Sequence, residues 1–507
     1  MKTLFGTLLF YALVACADDA PAANMVNNIQ HEKPKYEDTP KLTDSPSKDC
    51  GNPILDFKFM ADPTAIVHDG RVYVYGTNDS QQMDSVGRDN ENSYGFIRTL
   101  VMTSTNDMVN WTYHGLIKTT EICKPWAGVS WAPSIISRKE DDGKTHFYMF
   151  FANGGSTGLI TSTSPVGPWK DPVGRTFFDF DTPGLGDCAC PFDPGAVIDE
   201  NGVAWVSFGG GDKNKSVGTD FMPGNARIAK LSKDMLHIDS IAELPAPYHF
   251  EANELNYING TWVYTYNTNW KTRNEWPYNN ADGKPTTCCM SYMTSKTPLD
   301  SKSWVYQNNF LKNPGEYGYS YCNNHTTLLK YEGQWYIFYH NMTLKDYRGM
   351  KGGFRSVCVD RLEVDEQNVK YKMGEMTMKG PKQIRTLNPY DMQQAETVAG
   401  TLGVKFEETE VVGNTVLCID GPGQSTIVRG VNFNIEPKTI RARVKGDGSF
   451  KVCVGNPKAE PVAVVKVNSN DWEDVIAKVN GKIQGVQNLY FISINGDYKF
   501  DQWMFTK

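Results

Sequence analysis

Three carboxylates, Asp62, Asp193 and Glu251, open three segments built to one pattern: "ADPTAIVHDGRVYVYGT", "DPGAVIDENGVAWVSFGGG" and "EANELNYINGTWVYTYNTN". In each, an acidic residue precedes a short apolar run, a turn ends in glycine, and an aromatic-rich run follows. Two more copies open on Trp131 ("WAPSIISRKEDDGKTHFYMFFAN") and on His325 ("HTTLLKYEGQWYIFYHN"). Carboxylates that converge from separate segments can divide acid–base work. One stays ionised and takes a proton from water, while another is held protonated and gives its proton to a leaving oxygen. Each residue also has a plainer reading, since Asp62-Pro63 and Asp193-Pro194 suit turn initiation and Trp131 suits core packing. Their shared phase across the copies favours the chemical reading of the set.

The turns identify the elements that must hold these residues. Asp69-Gly70 separates Ile66-Val67 from the run Arg71 to Tyr75, a β-hairpin signature, and the matching turns end at Gly143, Gly202, Gly260 and Gly333. Between hairpins lie further strand-like stretches, "LVMTSTNDMVNWTYHG", "LITSTSPVGPWKD" and "SYMTSKTPLDSKSWVY". Each repeat therefore holds about four strands, the content of one propeller blade. Openers recur at 69, 62, 58 and 74 residues. The expected fold is all-β: a five-bladed β-propeller over residues 50–385, with its first strands around the axis and all five openers at one end. From about Gln393 shorter alternating runs predict a β-sandwich, giving a second unit over residues 386–507.

With 507 residues the chain exceeds one compact core. A formal charge of -7 offers no basic field, so nucleic acid is not an expected partner. Aromatic residues reach 12%, and such rings suit sites that stack on flat apolar faces, sugars included. The start, "MKTLFGTLLFYALVAC", has Lys2, an apolar run from Leu4 to Val14 and small residues before Cys16, as in an export signal. Residues 1–16 also resemble a bacterial lipobox that would acylate Cys16, with ordinary cleavage near Ala17 and secretion as the alternative. The polar, Pro-rich stretch 17–49 reads as a disordered tether. The expected location is the periplasm or outer-membrane surface, with membrane contact only through the lipid anchor. Ten further cysteines make disulfides an expectation in an exported chain, and Cys418 and Cys453 are the two beyond the propeller. Cys188-Ala-Cys190 and Cys288-Cys289 lack zinc-site spacing. "GGGDKNKS" lacks the second glycine of a phosphate loop.

Taken in order, "NPILDFKFMADPTAIVHDGRVYVYGT", "SWAPSII", "FDPGAVIDENG", "HFEANELNYINGTWVYTY", "NNHTTLLKYEGQWYIFYHN" and "GGFRSVCVD" resemble glycoside hydrolase family 43 from Cys50 to about Arg385. The resemblance implies an inverting enzyme with Asp62 as general base, Glu251 as general acid, and Asp193 raising the acid's pKa and orienting it. "FEA" selects Glu251 over its neighbour Glu254, which should lie inside the strand. The resemblance also brings His325 and Arg355 to the sugar pocket, with His325 near an axial cation or water in some relatives. Trp131, as an opener, is placed to wall the pocket. Inversion needs carboxyls roughly 6.5–9.5 Å apart, a gap that openers across a narrow channel can supply. No cofactor is needed for this chemistry.

"QAETVAG" and "LYFISINGDYKFDQWMF" resemble carbohydrate-binding module family 6, in which the positions of Glu396 and Asp501 help hold a structural calcium. "STIVRGV" lacks the aromatic of that family's ligand side, and Lys499 stands where Asn is common. A mainly structural domain that packs on the propeller and binds xylan weakly or not at all is expected. The implied activity is removal of α-L-arabinofuranosyl groups from arabinoxylan or related hemicellulose. The alternatives are a β-xylosidase or a catalytically silent glycan-binding lipoprotein. A fructan-cleaving propeller is set aside because "ADPTA" lacks an Asn-Asp-Pro-Asn-Gly-like motif.

Overall fold

The computed structural model describes residues 51–211, 221–270, 275–278 and 283–507. Cys16, the export segment, the tether and all of "DKNKS" lie outside the described residues. Five antiparallel sheets follow in chain order and form a five-bladed β-propeller. Blade 1 holds Ala61–His68, Arg71–Thr77, Leu100–Thr105 and Trp111–Ile117, and blade 2 holds Trp131–Lys139, Thr145–Asn153 and Ser156–Ser162. Blade 3 comprises Gly195–Ile198, Ala204–Gly209, Ala226–Leu231 and Ile238–Leu244. Blade 4 comprises His249–Ile258, Thr261–Thr268, Met290–Ser295 and Val305–Leu311, and blade 5 Thr326–Tyr331, Gln334–Asn341 and Ser356–Arg361.

Two blades depart from the expected four strands. In blade 2 the chain beyond Ser162 carries Pro165 and Pro168, which lack the N–H a ladder needs; only isolated bridges form, Lys170 to Thr161 and Phe178 to Thr157. In blade 5 the outer position is taken by the segment ahead of blade 1: Ile54 N donates to Val357 O at 2.9 Å and Met60 N to Arg355 O at 3.0 Å. The ring is thereby closed between its last and first blades, next to Asp62.

Around the axis the first strands are stitched by hydroxyls. Ile135 N donates to Thr64 Oγ1, Ala196 N to Ser134 Oγ, and Thr327 Oγ1 to Glu254 Oε1, at 2.9–3.1 Å. Blades 3 and 4 instead approach backbone to backbone: a Cβ on Gly195 would lie 2.3 Å from Glu254 Cα, so only glycine fits. Between blades aromatic side chains fill the core: Tyr75 and Phe147, from second strands, between blades 1 and 2, and Trp111, from the fourth strand of blade 1, with Phe338, from the second strand of blade 5, between blades 5 and 1. Each such ring contributes about 1.5–3 kcal/mol by leaving water.

The C-terminal unit is a curled, sandwich-like sheet built on one long strand, Gly485–Thr506. It pairs with Ser425–Phe433 over its first half, with Thr415–Ile419 over its second, and with Thr439–Val454 throughout. Phe450, Phe491, Trp503 and Phe505 fill the interior. This unit packs on blade 1. Thr397–Val398 adds a fifth strand to that blade, opposite Thr112 and Trp111. Phe57 stacks on Phe406 at 4.0 Å, and Glu408 Oε1 accepts Leu116 N at 2.9 Å.

The disulfide expectation is corrected here. Among the described residues, Cys418 and Cys453 form no disulfide. Cys418 stands opposite Lys499 and Cys453 opposite Tyr490, nine residues apart on the long strand. A bridge needs Cα atoms within about 7 Å, and that register keeps the two apart.

Candidate active site

A backbone device recurs at, or one residue after, four of the five openers. Asp62, Ala132, Asp193 and Ala252 all have left-handed φ, at 49, 27, 49 and 59°. The pairing register slips at the same places, between Ala61 and Thr64, Trp131 and Pro133, and Glu251 and Glu254. These are β-bulges, which break side-chain alternation and re-aim a residue at a strand's mouth. Aspartate tolerates the left-handed region better than most residues, which suits it to two of the four positions.

Asp62 is 5% exposed and fully engaged. Its Oδ1 accepts Arg355 Nη1 at 2.8 Å and its Oδ2 accepts Thr77 Oγ1 at 2.7 Å. Burial is the largest single influence and opposes its charge, but the Arg355 guanidinium, together with His340 and His325, outweighs it and holds the carboxyl well below the usual range. Arg355 is itself fixed: Nε and Nη2 each donate to Asp79 at 2.9 Å, and Tyr94 lies over the guanidinium at 4.9 Å. Such a two-point clamp sets the plane of the fork as well as its position. Asp79 is the first residue of a short helix, Asp79–Val86, after the second strand of blade 1.

Across the channel, Asp193 Oδ2 accepts Ala252 N at 3.0 Å, and Asn253 Nδ2 donates to Asp193 O at 2.9 Å. Burial first, then the charges of Glu251 and Asp62, push the Asp193 carboxyl well up. Asp193 therefore competes for a proton with its neighbour. Glu251 Oε1 accepts Asn323 Nδ2 at 3.0 Å. Asn323 O accepts His340 Nε2–H at 2.7 Å, while His340 Nδ1 accepts Asp62 N–H at 3.0 Å. Those two bonds assign the Nε2–H tautomer. One hydrogen-bonded path thus runs from the backbone of Asp62 through His340 and Asn323 to Glu251.

His325 is buried, with Nδ1 3.6 Å from Asp62 Oδ1. Burial pushes it down to about 4, so it faces the site as a neutral imidazole at pH 7. Trp131 is half-buried and joins the wall indirectly, donating Nε1–H to Tyr94 O at 3.0 Å. Glu254 sits inside the strand, buried against Thr327 and pushed by burial up to about 8. Glu396 and Asp501 lie in the C-terminal unit, outside this cluster. Glu396 Oε2 and Asp501 Oδ1 are both buried without a hydrogen-bond partner.

The structure thus brings together Asp62, Asp193, Glu251, His325 and Arg355, with Trp131 one residue removed. Sequence reasoning missed Asp79, Tyr94, Asn323 and His340. Asn323 stands two residues before an opener and Asp79 two after the aromatic run "VYVYGT", close to the repeat's signals but outside its phase.

Residues 50–369 match the glycosyl hydrolases family 43. The chain belongs to that family. As a family 43 glycoside hydrolase it has two relatives that span both of its units. The arabinoxylan arabinofuranohydrolase of Paenibacillus polymyxa is 31% identical over 484 residues, covering 90% of this chain and 74% of the relative. That of Bacillus subtilis (strain 168) is 31% identical over 486 residues, covering 90% and 92%. A crystal structure of a Bacillus subtilis family 43 arabinoxylan arabinofuranohydrolase in complex with cellotetraose superposes with a TM-score of 0.84 at 31% identity, covering 92% of this chain and 99% of that one. Residues 394–507 match the carbohydrate binding module (family 6).

Proposed function

We propose that this family 43 enzyme removes α-L-arabinofuranosyl side groups from arabinoxylan or related hemicellulose with inversion. The observation that carries the mechanism is the opposed electrostatics of the carboxylates. Asp62 is kept ionised with the help of Arg355, whereas buried Asp193 is raised by burial and by the charge of half-buried Glu251 beside it, so that the pair retains a proton. In this reading Asp62 draws a proton from water, whose oxygen attacks the anomeric carbon as the glycosidic C–O bond breaks. Glu251 gives its proton to the departing oxygen, and Asp193 keeps that proton available by repulsion. Trp131, His325 and Arg355 bound the sugar.

The sugar assignment rests on relatives that match both units and are named arabinoxylan arabinofuranohydrolases. A β-xylosidase is the second reading, supported by a Bacteroides ovatus xylosidase/arabinosidase 25% identical over 61% of this chain. Incubation with aryl α-L-arabinofuranoside, aryl β-D-xyloside and arabinoxylan discriminates them. The expected result is arabinose release in the inverted anomeric form by proton NMR. Xylose release alone, or a retained anomer, overturns the reading.

Three further assignments belong to this proposal. The catalytic unit is taken as residues 50–385 and the C-terminal unit as 386–507, the latter acting mainly as structure beside a glycan substrate. Glu396 and Asp501 would hold a structural calcium, since each buries a carboxylate oxygen with no other partner. The ion would supply positive charge between them and takes no part in hydrolysis. Export, with acylation at Cys16, would set the enzyme on the cell surface or in the periplasm.

A further inference from the structure

Phe180, Phe96 and Tyr278 are the most exposed aromatic rings among the described residues, at 59, 50 and 39%. All three lie at the end of the propeller where the carboxylates open. Phe96 is on the connection leaving Thr77, which pairs with Ala61 beside Asp62. Phe180 follows Phe178, which bridges to Thr157 at the start of the third strand of blade 2; Thr157 faces Ala152, and Ala152 faces Trp131. Tyr278 is on the connection between Asn267, the partner of Glu251, and Met290. Singly exposed hydrophobes need no explanation, but three rings on one end around one site do.

Two of the rings are backed from behind. Phe180 lies over Gly155, where a Cβ would come within 2.8 Å of its Cζ and 3.4 Å of its Cε2. Tyr278 stacks on Tyr306 at 5.7 Å and 15°, with Trp276 edge-on at 4.9 Å. A ring supported on one face presents the other at little conformational cost. Such faces suit the flat C–H surface of a pyranose.

We propose that Phe180, Tyr278 and Phe96 form a stacking rim that holds the main chain of the polysaccharide while a side group enters the pocket. This rests on the reading of the enzyme as a remover of side groups, because only then does a main chain remain outside. The partner is thus a neutral glycan chain, not a protein or a membrane.

Phe180→Ala, Tyr278→Ala and Gly155→Ala, in the full chain, test it through kcat and KM on soluble arabinoxylan and on aryl α-L-arabinofuranoside. Each is expected to raise KM on the polymer about three- to tenfold, with kcat and the aryl constants within about twofold. Gly155→Ala should reproduce Phe180→Ala by displacing the ring, and add nothing in the double variant. An unchanged polymer KM in all variants overturns the rim, as does a parallel rise on the aryl substrate. Failure of the wild-type enzyme on the aryl arabinofuranoside overturns the functional reading instead. If another aryl glycoside is cleaved, the same comparison with that sugar's polymer still decides the rim.

Discussion

Asn323 donates its side-chain N–H to Glu251 Oε1 at 3.0 Å, while its backbone carbonyl is held by His340 at 2.7 Å. An N–H donor at one oxygen leaves the other to carry the proton, so Asn323 sets which edge of the carboxyl faces the substrate. Asn323→Ala should lower kcat about 10- to 100-fold on natural glycosides and much less on aryl glycosides with good leaving groups. Equal losses on both, measured by steady-state kinetics, would reduce Asn323 to a structural part.

Glu251 and Asp62 separate the same way. Glu251→Gln should abolish cleavage of natural glycosides while sparing substrates whose leaving group needs no proton. Asp62→Asn should cost about 10²–10⁴-fold on every substrate. Azide should restore turnover to Asp62→Asn and give a glycosyl azide of inverted configuration, identified by NMR.

For Asp193 the expected signature is in pH. Burial and the neighbouring charges of Glu251 and Asp62 push its carboxyl up, and two such coupled groups lose protons in steps that belong to the pair. Asp193→Asn deletes one negative charge, so the remaining proton leaves at lower pH. The alkaline limb of kcat/KM should therefore move down as the rate falls. An unmoved limb would leave Asp193 a sugar-binding or positioning group.

Glu254 predicts a stability effect. Burial raises it from 4.5 to about 8, so the folded state prefers its protonated form. That contribution is complete below about pH 4.5 and is lost as pH rises through 8, on the order of 4–5 kcal/mol. Glu254→Gln keeps the acceptor for Thr327 without titrating. Its Tm relative to wild type should rise steadily between pH 4.5 and 8; a constant difference would contradict the assignment.

Calcium should raise the unfolding midpoint and chelation lower it, because burial pushes Glu396 well up and also raises Asp501, and an ion would relieve both. Asp501→Asn should abolish the difference in calorimetry, while hydrolysis of an aryl glycoside stays unchanged at temperatures where the fold persists.

The propeller was legible because its unit is local: one hairpin, with glycine at its turn and a polar or aromatic residue at its mouth. The same phase exposed Asp62, Asp193 and Glu251. What escaped reading is made through space. Nothing near Ser356–Arg361 in sequence shows that the segment before Ala61 completes blade 5 from the other end of the domain. Likewise Asp79 and Asn323 act through Arg355 and Glu251, which lie 276 and 72 positions away. The pairing of Cys418 with Cys453 failed because a count of cysteines carries no information on strand register.

Thr397 and Val398 occupy the outer rim of blade 1, and this bears on how the gene could be cut. A chain shortened at residue 385 would leave the Trp111–Ile117 ladder open along one side, an adhesive surface that invites self-association. The two lobes are therefore not interchangeable parts. Transplanting the hydrolytic one requires carrying the graft through Val398, or blunting the bare strand with lysine or proline.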